Sequence, residues 1–287
     1  LYNVLMTIPQ FQKTILNWYQ HNRRDLPWRR TKDPYKILVS EVMLQQTQVS
    51  RVIPKYKEFL QKFPTLEKLA KASDKDLLKT WAGLGYWRRA KYLKEIAKTI
   101  YFLQGVGPHR SGVKHKENIW FERFSDPKTL EKLPGIGHYT ARAIACFAFG
   151  NREAFLDTNI RRVYLHFFFR NKNKVSDKEI LKVAQKAVWK KNPREWHYAL
   201  FDYGAMVLKD RKINQRSKHY TKQSKFEGSF RSFRTKVMQF LLSQSKYQAT
   251  HKKVKTLLAK TPYPPTQILA SLLKDNLIKD SRGYYTL

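Results

Sequence analysis

The sequence predicts a mainly α-helical protein, and three observations support that prediction. Apolar residues recur at the three- and four-residue spacing of a helix through most of the chain, beginning with Phe11, Ile15, Trp18 and Tyr19. Sustained strand-type alternation does not occur in the sequence before its C-terminal tail. Hydrophobic residues make up 42% of the 287 residues and aromatic residues 14%, which is typical of a folded domain and argues against disorder.

The helices are predicted between residues that favour turns. Asp33-Pro34 separates the first helix from a second one, Ile37 to Val49, which has Tyr35 at its entry and ends near Pro54. Ser73 is expected to cap the helix after it, with Asp76 as an acidic residue in the first turn. The further predicted helices cover residues 55–63, 66–72, 74–81, 88–103, 127–133, 139–149 and 159–169, and residues 105–116 are expected to form a glycine-rich, basic loop.

The C-terminal part of the chain has a different pattern. Residues 208–225 are polar and strongly basic, which predicts a linker or a loop that faces phosphate groups. Beyond them, helices are expected at residues 230–243, 249–258 and 262–273, followed by short strands at 277–279 and 284–287 around an Arg-Gly turn in residues 280–283. This order predicts a small winged-helix-like module, and a plain helical appendage is the alternative. We therefore expect a helical domain at 1–207, a basic loop at 208–225 and the module at 226–287.

Charge points to a polyanionic partner. The sequence has 57 Lys and Arg against 22 Asp and Glu, a formal charge of +35, and the excess is spread along the whole chain. A field of this sign attracts nucleic acid, although a merely solvated alkaline surface is the alternative. No apolar run approaches the roughly 20 residues that a membrane-spanning helix needs, so no membrane partner is expected.

A single cysteine limits the redox and metal chemistry of this sequence. Cys146 lies in an apolar helical context, which indicates a buried structural thiol, and alone it allows neither an internal disulfide nor a multi-cysteine metal site. The start of the sequence has no signal-peptide pattern, but it begins at Leu1 and not at Met, so a trimmed leader remains open. An intracellular location is expected, cytoplasmic and nucleoid-associated in a bacterium.

The first motif is Leu133-Pro134-Gly135-Ile136-Gly137, directly before a predicted helix. Two glycines around one aliphatic residue allow a tight turn whose N–H groups face outward and suit a phosphate, while a simple connector between helices is the alternative. The chain here resembles the helix-hairpin-helix glycosylases, which implies two helical lobes in residues 1–207 with the active site between them. The resemblance implies that this hairpin grips the DNA backbone beside a monovalent cation held by main-chain carbonyls. It also implies a catalytic aspartate downstream, at Asp157, although a carboxylate at a helix start can simply be an N-cap.

A second set of motifs is more specific. Leu26-Pro27-Trp28-Arg29, the segment from Ser40 to Val49, and Gly83-Leu84-Gly85-Tyr86 resemble the MutY family of adenine glycosylases, and the resemblance covers roughly residues 8 to 207. Glu41 lies among apolar residues, where a carboxyl group is costly unless it is paired or useful. Burial would raise its pKa as an acid working near neutral pH requires; the alternative is an exposed glutamate on a helix surface.

The resemblance implies a mechanism with two acids. Adenine is extruded from the duplex, Glu41 protonates its ring at N7, and Asp157 stabilises the cation that forms on the sugar or bonds to it transiently. Glu41 then acts as a base and activates water. The resemblance assigns the remaining residues as support for the acids (Tyr139, Asn159), adenine pocket (Leu26, Trp28, Arg29), contacts with the opposite base (Leu44, Gln46, Thr47) and a wedge in the base stack (Tyr86).

Position 139 distinguishes this chain from related enzymes. Endonuclease III-like relatives have a lysine there that forms a Schiff base and cuts the strand, whereas this chain has Tyr139 after His138. We therefore expect base removal without an efficient strand-cleaving step. Thymine-mismatch glycosylases also have a tyrosine there, but Glu41 favours adenine. Three readings are kept: an adenine glycosylase acting opposite 8-oxoguanine or guanine, a thymine or uracil mismatch glycosylase, and a DNA-binding protein without chemistry, which would need neither acid.

The chain departs from the resemblance at three places. Most relatives bind a four-iron cluster through four cysteines, and the aligned residues here are Leu208, Gln215, Lys218 and Ser224, so no iron–sulfur cluster is expected and the basic loop takes its place. Tyr198 stands where relatives often have a glutamate. Residues 226–287 are too few for the nudix-like domain that recognises 8-oxoguanine. The expected partner is double-stranded DNA with a mismatch or 8-oxoguanine, bound by a monomer.

Overall fold

The computed structural model describes residues 6–103, 124–222 and 224–287. The described residues are mainly helical, with a small antiparallel sheet near the C-terminus. The loop predicted at 105–116 lies outside them. Among the described helices, none combines the length and the apolar character that crossing a membrane requires.

The elements follow one another in this order. The helices are α1 (Ile8–Asn22), α2 (Pro34–Leu44), α3 (Val49–Lys62), α4 (Leu66–Ala70), α5 (Asp74–Trp81), α6 (Arg88–Leu103), α7 (Pro127–Leu130), α8 (His138–Phe149), α9 (Thr158–Phe168), α10 (Asp177–Ala187), α11 (Pro193–Met206), α12 (Phe230–Ser243), α13 (His251–Leu257) and α14 (Pro265–Lys274). The strands are β1 (Gln248–Thr250), β2 (Lys279–Ser281) and β3 (Tyr284–Thr286), and 3₁₀ turns lie at Pro27–Arg30, Arg211–Arg216 and Ser245–Tyr247.

The α-carbon contacts divide the chain into two compact units. Unit 1 takes in Leu1–Glu41 and His115–Lys222, and unit 2 takes in Val42–Lys114 and Gln223–Leu287. Each unit therefore combines segments that are distant in the sequence.

The core of unit 1 is built on aromatic residues of α1, α9 and α11. Phe11 is fully buried, and its ring centre lies 5.4 Å from that of Tyr164 and 5.5 Å from that of Trp196. A capping box between Thr7 and Gln10 starts α1, and it provides acceptors for backbone N–H groups at the N-terminus of this helix. The packing of these helices holds the segments that carry Asp157 and Asp202.

Unit 2 joins helices α3 to α6 with the C-terminal module. Trp81 of α5 is fully buried against Phe59 of α3, with ring centres 6.0 Å apart. The module runs helix, strand, helix, helix, strand, strand, and its antiparallel sheet has the order β1-β3-β2 with Ala249 opposite Tyr285. This is the winged-helix arrangement that the sequence predicts, with β1 as an additional strand.

Several predicted boundaries are wrong. The helix expected from Ile37 to Val49 ends at Leu44, because Gln46 adopts a positive φ of 55°, and α3 begins at Val49. Pro54 lies inside α3 and does not end the helix before it. The hydrogen bond that it removes would go to the carbonyl group of Ser50, an exposed residue. The structure also differs at three further places: α7 stops at Leu130, residues 249–258 divide into β1 and α13, and the first of the two predicted strands lies at Lys279–Ser281.

Candidate active site

Glu41 is a buried carboxyl group near the end of α2. It has 4% of its surface exposed, and the hydroxyl group of Tyr139 donates to its Oε2 atom at 3.4 Å. Burial raises the pKa of Glu41 to about 8; the hydrogen bond from Tyr139 opposes this rise, and the nearby carboxyl group of Asp157 adds to it. The structure therefore gives Glu41 the property that the sequence predicts, an acid that keeps its proton near neutral pH.

Asp157 is the N-cap residue of α9. Its Oδ1 atom accepts from the backbone N–H of Ile160 at 2.6 Å, and its Oδ2 atom accepts from the side-chain amide of Asn159 at 3.0 Å. Burial raises the pKa of Asp157, and these hydrogen bonds oppose the rise because they favour the ionised carboxylate. Asp157 thus caps α9 and also lies near enough to Glu41 to influence its pKa.

Tyr139 and Asn159 support the two acids from α8 and α9. Burial first, and then the charges of Glu41 and Asp157, raise the pKa of Tyr139 well above its usual range, so the phenol stays neutral and donates a proton in its hydrogen bond. Its ring packs edge-on against Phe155, with the ring centres 5.7 Å apart. The structure thus brings together the four residues for which the sequence predicts catalysis, namely Glu41, Tyr139, Asp157 and Asn159.

The predicted hairpin leads directly into the helix that carries Tyr139. Gly135 has a positive φ of 72°, which favours glycine, and the backbone N–H of Ile136 donates to the carbonyl group of Leu133 at 3.2 Å. Ile136 is buried, Leu133 and Pro134 are half-buried, and the two glycines are exposed. Gly137 is the N-cap of α8, and no side chain in the described ranges caps it. An exposed helix N-terminus of this kind is suited to an anion.

Arg29 is held by the carboxylate of Asp202, a residue that was not predicted from the sequence. Asp202 on α11 is fully buried, and it accepts two bonds from the guanidinium of Arg29, at 2.7 and 2.8 Å, and one from Nε of Arg24 at 2.6 Å. These arginines keep the pKa of Asp202 below its usual range, against the effect of burial. A charged residue between Phe201 and Tyr203 on a buried helix is the signal that identified Glu41, and it could have identified Asp202.

The residues predicted for the adenine pocket lie in unit 1, at the 3₁₀ turn Pro27–Arg30 and at its N-cap, Leu26. Leu26 and Trp28 are buried, and the guanidinium carbon of Arg29 lies 4.4 Å from the ring centre of Tyr198. Tyr198 is also buried and stacks on Phe147, with ring centres 4.3 Å apart and planes inclined by 17°. Tyr198 thus packs beneath Arg29, whose charge opposes the effect of burial on the pKa of Glu41.

A close contact between α9 and α11 requires Gly204. A Cβ atom at Gly204 would lie 2.5 Å from the backbone oxygen of Asn159, which is too short for any real contact. Glycine therefore lets α11 approach the start of α9, where Asp157 and Asn159 lie. The sequence analysis assigned Gly204 to no function.

The residues predicted to face the opposite base lie in unit 2. Leu44 ends α2, and Gln46 and Tyr86 both adopt positive φ values, 55° and 46°, that residues with side chains rarely adopt. Thr47 accepts a hydrogen bond from Nη2 of Arg89 at 3.0 Å. Nη1 of Arg89 also donates to the carbonyl groups of Val42, Met43 and Gln45, and Nη2 to those of Leu84 and Gly85. No sequence motif indicated Arg89, which ties the two predicted segments together.

The positions aligned with the cluster ligands of relatives do not fit an iron–sulfur cluster. Leu208, Gln215, Lys218 and Ser224 offer no thiolate, which is the donor that such clusters need. The segment is held by protein groups instead: Arg162 donates to the carbonyl group of Leu208 at 3.0 Å, and the backbone N–H of Lys218 donates to that of Val175 at 2.8 Å. That the chain works without a cluster stays a prediction.

The fold and these motifs define a class of DNA-repair proteins, and comparison with known proteins shows the family. Residues 39–191 match the family model described as HhH-GPD superfamily base excision DNA repair protein, so the chain belongs to this superfamily. The chain is 38% identical to an adenine DNA glycosylase of Buchnera aphidicola over 204 residues, which are 70% of the chain and 54% of that protein. It is 35% identical to the human adenine DNA glycosylase over 222 residues, 72% of the chain and 37% of that protein. The chain thus spans about half or less of the length of these relatives.

Solved structures agree with this fold. A thermostable thymine-DNA glycosylase is 31% identical with a TM-score of 0.60, and the match covers 71% of this chain and 89% of that one. An endonuclease III in a trapped covalent complex with DNA is 20% identical with a TM-score of 0.53, over 69% of this chain and 85% of that one. The second likeness shows the fold alone.

Proposed function

We propose that this chain is a DNA glycosylase that removes adenine opposite 8-oxoguanine or guanine by hydrolysing the N-glycosidic bond of a flipped-out nucleotide. The observation that carries the proposal is the pair of carboxyl groups in unit 1: Glu41, with a pKa of about 8, near Asp157, whose hydrogen bonds favour its ionised form. A protonated acid near a carboxyl group whose hydrogen bonds favour the ionised form suits cleavage of a glycosidic bond. The relatives named adenine DNA glycosylase support adenine as the base.

Each acid has one function in the proposed reaction. Glu41 transfers its proton to N7 of the adenine ring, the bond between C1′ and N9 breaks, and its electron pair leaves with the base. The Asp157 carboxylate stabilises the positive charge that develops on the sugar. Water then adds to C1′ while Glu41, now ionised, takes up a proton from that water. Tyr139 holds Glu41 by a hydrogen bond, and Asn159 holds Asp157.

We further propose that the enzyme does not cut the strand efficiently. A phenol cannot condense with the sugar aldehyde as an amine does, and the residue at this position is Tyr139. The abasic site would therefore remain intact until alkali or another enzyme cleaves it.

The proposed partner is double-stranded DNA, bound by a monomer inside the cell. The formal charge of +35 and the exposed N-terminus of α8 behind the 133–137 hairpin favour binding to phosphate groups. A monovalent cation held by the hairpin carbonyls belongs to the same proposal, as does activity without an iron–sulfur cluster.

One assay tests the reaction and its alternatives. Duplexes with adenine opposite 8-oxoguanine, adenine opposite guanine, and thymine opposite guanine are incubated with the protein and analysed before and after alkali. Breaks on the adenine strand that require alkali support the proposal. Breaks on the thymine strand would instead support a thymine or uracil mismatch glycosylase, the second candidate, which the likeness to a thymine-DNA glycosylase favours. Binding without any base release would indicate a DNA-binding protein without chemistry.

A further inference from the structure

Arg231 in the first turn of α12 lies between two aromatic rings in unit 2. Its guanidinium carbon is 5.0 Å from the ring centre of Tyr86 and 5.5 Å from that of Phe226. Its Nη1 atom donates to the hydroxyl group of Tyr86, and its Nη2 atom donates to the carbonyl group of Ser224 at 3.4 Å. The C-terminal module thereby places a cation on Tyr86, the residue that the sequence predicts as a wedge.

Two cavities adjoin this pair. Their volumes are about 420 and 480 Å³, within the range of small-ligand sites, and both are lined by Gln46, Tyr86, Trp87 and Arg231. The site therefore combines the predicted opposite-base segments with α12, which lies outside the residues matched by the family model. Gln46 is exposed and has a positive φ. Residues with side chains rarely adopt this backbone conformation, and such conformations are concentrated at functional sites.

Charge and hydrogen bonding in this site favour a ligand with acceptor atoms. Among the described residues no carboxylate pairs with Arg231, since Asp275 is taken by Arg88 and Arg234. The Nε atom of Arg231 is buried and has no hydrogen-bond partner within the described ranges. The Nη groups donate to neutral acceptors, the hydroxyl group of Tyr86 and, at 3.4 Å, the carbonyl group of Ser224, so a ligand with acceptor atoms can compete for them.

We infer that Arg231 is a specificity-determining residue that binds the guanine-type base opposite the excised base. Guanine presents two neighbouring acceptors, O6 and N7, that match the fork of a guanidinium, and 8-oxoguanine keeps O6 as an acceptor. In this arrangement the guanidinium keeps its contact with Tyr86 while its N–H groups turn from Tyr86 and Ser224 to the base. The inference rests on the proposed function and extends it, because it gives the C-terminal module part of the opposite-base site.

The test compares the same adenine strand annealed to partners with guanine, 8-oxoguanine or an abasic-site analogue opposite the adenine. Single-turnover rates and duplex affinities are measured for the wild type, Arg231→Ala, Arg231→Lys and, as a control, Lys253→Ala. Lys253 is an exposed cation of the same module, so the control removes an equal charge. We expect Arg231→Ala to lower the preference for guanine over the abasic partner about tenfold. Arg231→Lys should do the same because lysine lacks the fork, and Lys253→Ala should leave the preference unchanged.

Other outcomes would overturn the inference. An equal loss on every partner would make Arg231 a residue that docks the module or binds phosphate, and an unchanged preference in Arg231→Ala or Arg231→Lys would remove it from base recognition. Thermal unfolding of each variant detects a misfolded module. If Arg231→Ala misfolds, Arg231→Lys, which keeps the positive charge next to Tyr86, decides whether Arg231 recognises the base. A wild type that releases no adenine from any duplex would overturn the proposed function instead, and the duplex affinities would still test whether Arg231 distinguishes guanine from an abasic site.

Discussion

Burial raises the pKa of both carboxyl groups in unit 1, and their hydrogen bonds distinguish them. The hydrogen bond from Tyr139 and the charge of Arg29 oppose the burial of Glu41 only in part, so its pKa rises to about 8. Asp157 accepts bonds from the backbone of Ile160 and the amide group of Asn159, and both favour the charged form. The proposed division of the two acids into a proton donor and a stabilising anion rests on this difference in hydrogen bonding.

The proposed function of Glu41 predicts how the rate depends on pH. If protonated Glu41 is the acid, the single-turnover rate of adenine release should fall as the pH rises through about 8, because the ionised form has no proton to give. The measurement is the rate of alkali-sensitive breaks across this range, with the enzyme in excess. A rate that stays constant through this range would remove Glu41 from the function of general acid, and Glu41→Gln should release no adenine at any pH while still binding the duplex.

The same pKa predicts a change in stability. Glu41 titrates near 4.5 in the unfolded chain and near 8 in the folded one, so the folded state binds more protons between these values and its free energy of unfolding falls as the pH rises. Glu41→Gln removes this loss. Relative to the wild type, we expect the variant to gain stability as the pH rises through this window and to gain no more above it. Chemical denaturation at several pH values measures the difference, and Glu95→Gln, on an exposed glutamate, is the control.

The sequence reveals Glu41 but not its complete environment. A carboxyl group among apolar residues is noticeable in the sequence because its burial costs free energy, and the motif around Glu41 is specific. Asp202 presents the same cost, but the arginines that compensate it lie more than 170 residues away, so no local pattern pairs them. Arg89 was missed for a related reason, since its partners are backbone carbonyl groups, which every residue has.

At the level of elements, Arg89 fixes the end of α2 against the segment at 84–86. It is buried, and burial lowers its pKa to about 10, so the cost of its charge is offset by carbonyl groups at the helix end. These bonds also hold the carbonyl groups directly before Gln46 and Tyr86, the two residues with positive φ values.

Replacing Arg89 should therefore weaken both segments. We expect Arg89→Gln to lower the free energy of unfolding by about 3 kcal/mol, because several buried carbonyl groups lose a charged donor. Lys98→Gln, on an exposed cation of the same helix, is the control and should change stability little. Urea denaturation measures both, and a loss for Arg89→Gln no larger than for the control would contradict the function assigned to Arg89.

Gly204 gives a second prediction for the packing of elements. Gly204→Ala should push α11 away from the carbonyl group of Asn159 and shift Asp157, so we expect adenine release to slow by about tenfold or more. Gly137→Ala is the steric control for stability, since its added methyl group meets no atom within 4 Å. Melting temperatures compare the two variants, and the single-turnover rate of Gly204→Ala is compared with that of the wild type. An unchanged rate in Gly204→Ala would show that the helices can adjust without moving the acid.

The predictability of each helix depends on how much of its surface is buried. Amphipathic segments such as α5 were predicted, down to the Ser73 cap that accepts from the backbone N–H of Asp76. The sequence predictions did not include α11, whose residues from Trp196 to Leu200 are all buried, because a helix covered on several sides lacks a clear polar face. The same predictions also omitted α10, although Ser176 and Glu179 form a capping box at its start.

At the level of the whole molecule, each compact unit combines segments that are distant in the sequence. The sequence predicts continuous domains at 1–207 and 226–287, whereas unit 2 joins residues 42–114 to 223–287. Its ion pairs explain part of this association, since Arg88 and Arg234 come from distant segments and share Asp275. A motif search follows the chain and sees each segment alone, so the grouping of Tyr86 with Arg231 could not be predicted.

The net charge of the whole molecule predicts a steep salt dependence of DNA binding. With a formal charge of +35, the chain should neutralise several phosphates and release their counterions, and the logarithm of its affinity for undamaged duplex should fall linearly with the logarithm of the salt concentration. For six or more phosphate contacts, affinity falls by a factor on the order of 1,000 between about 50 and about 200 mM salt.

The chemical step is the internal control, because the acids lie in the protein and their interaction is screened much less than contacts at the surface. Titration of a labelled duplex gives the slope, and single-turnover rates at saturating enzyme give the chemical step. A shallow slope would mean that the positive charge is mostly solvated surface, whereas a parallel loss in the chemical step would mean that salt acts on the site.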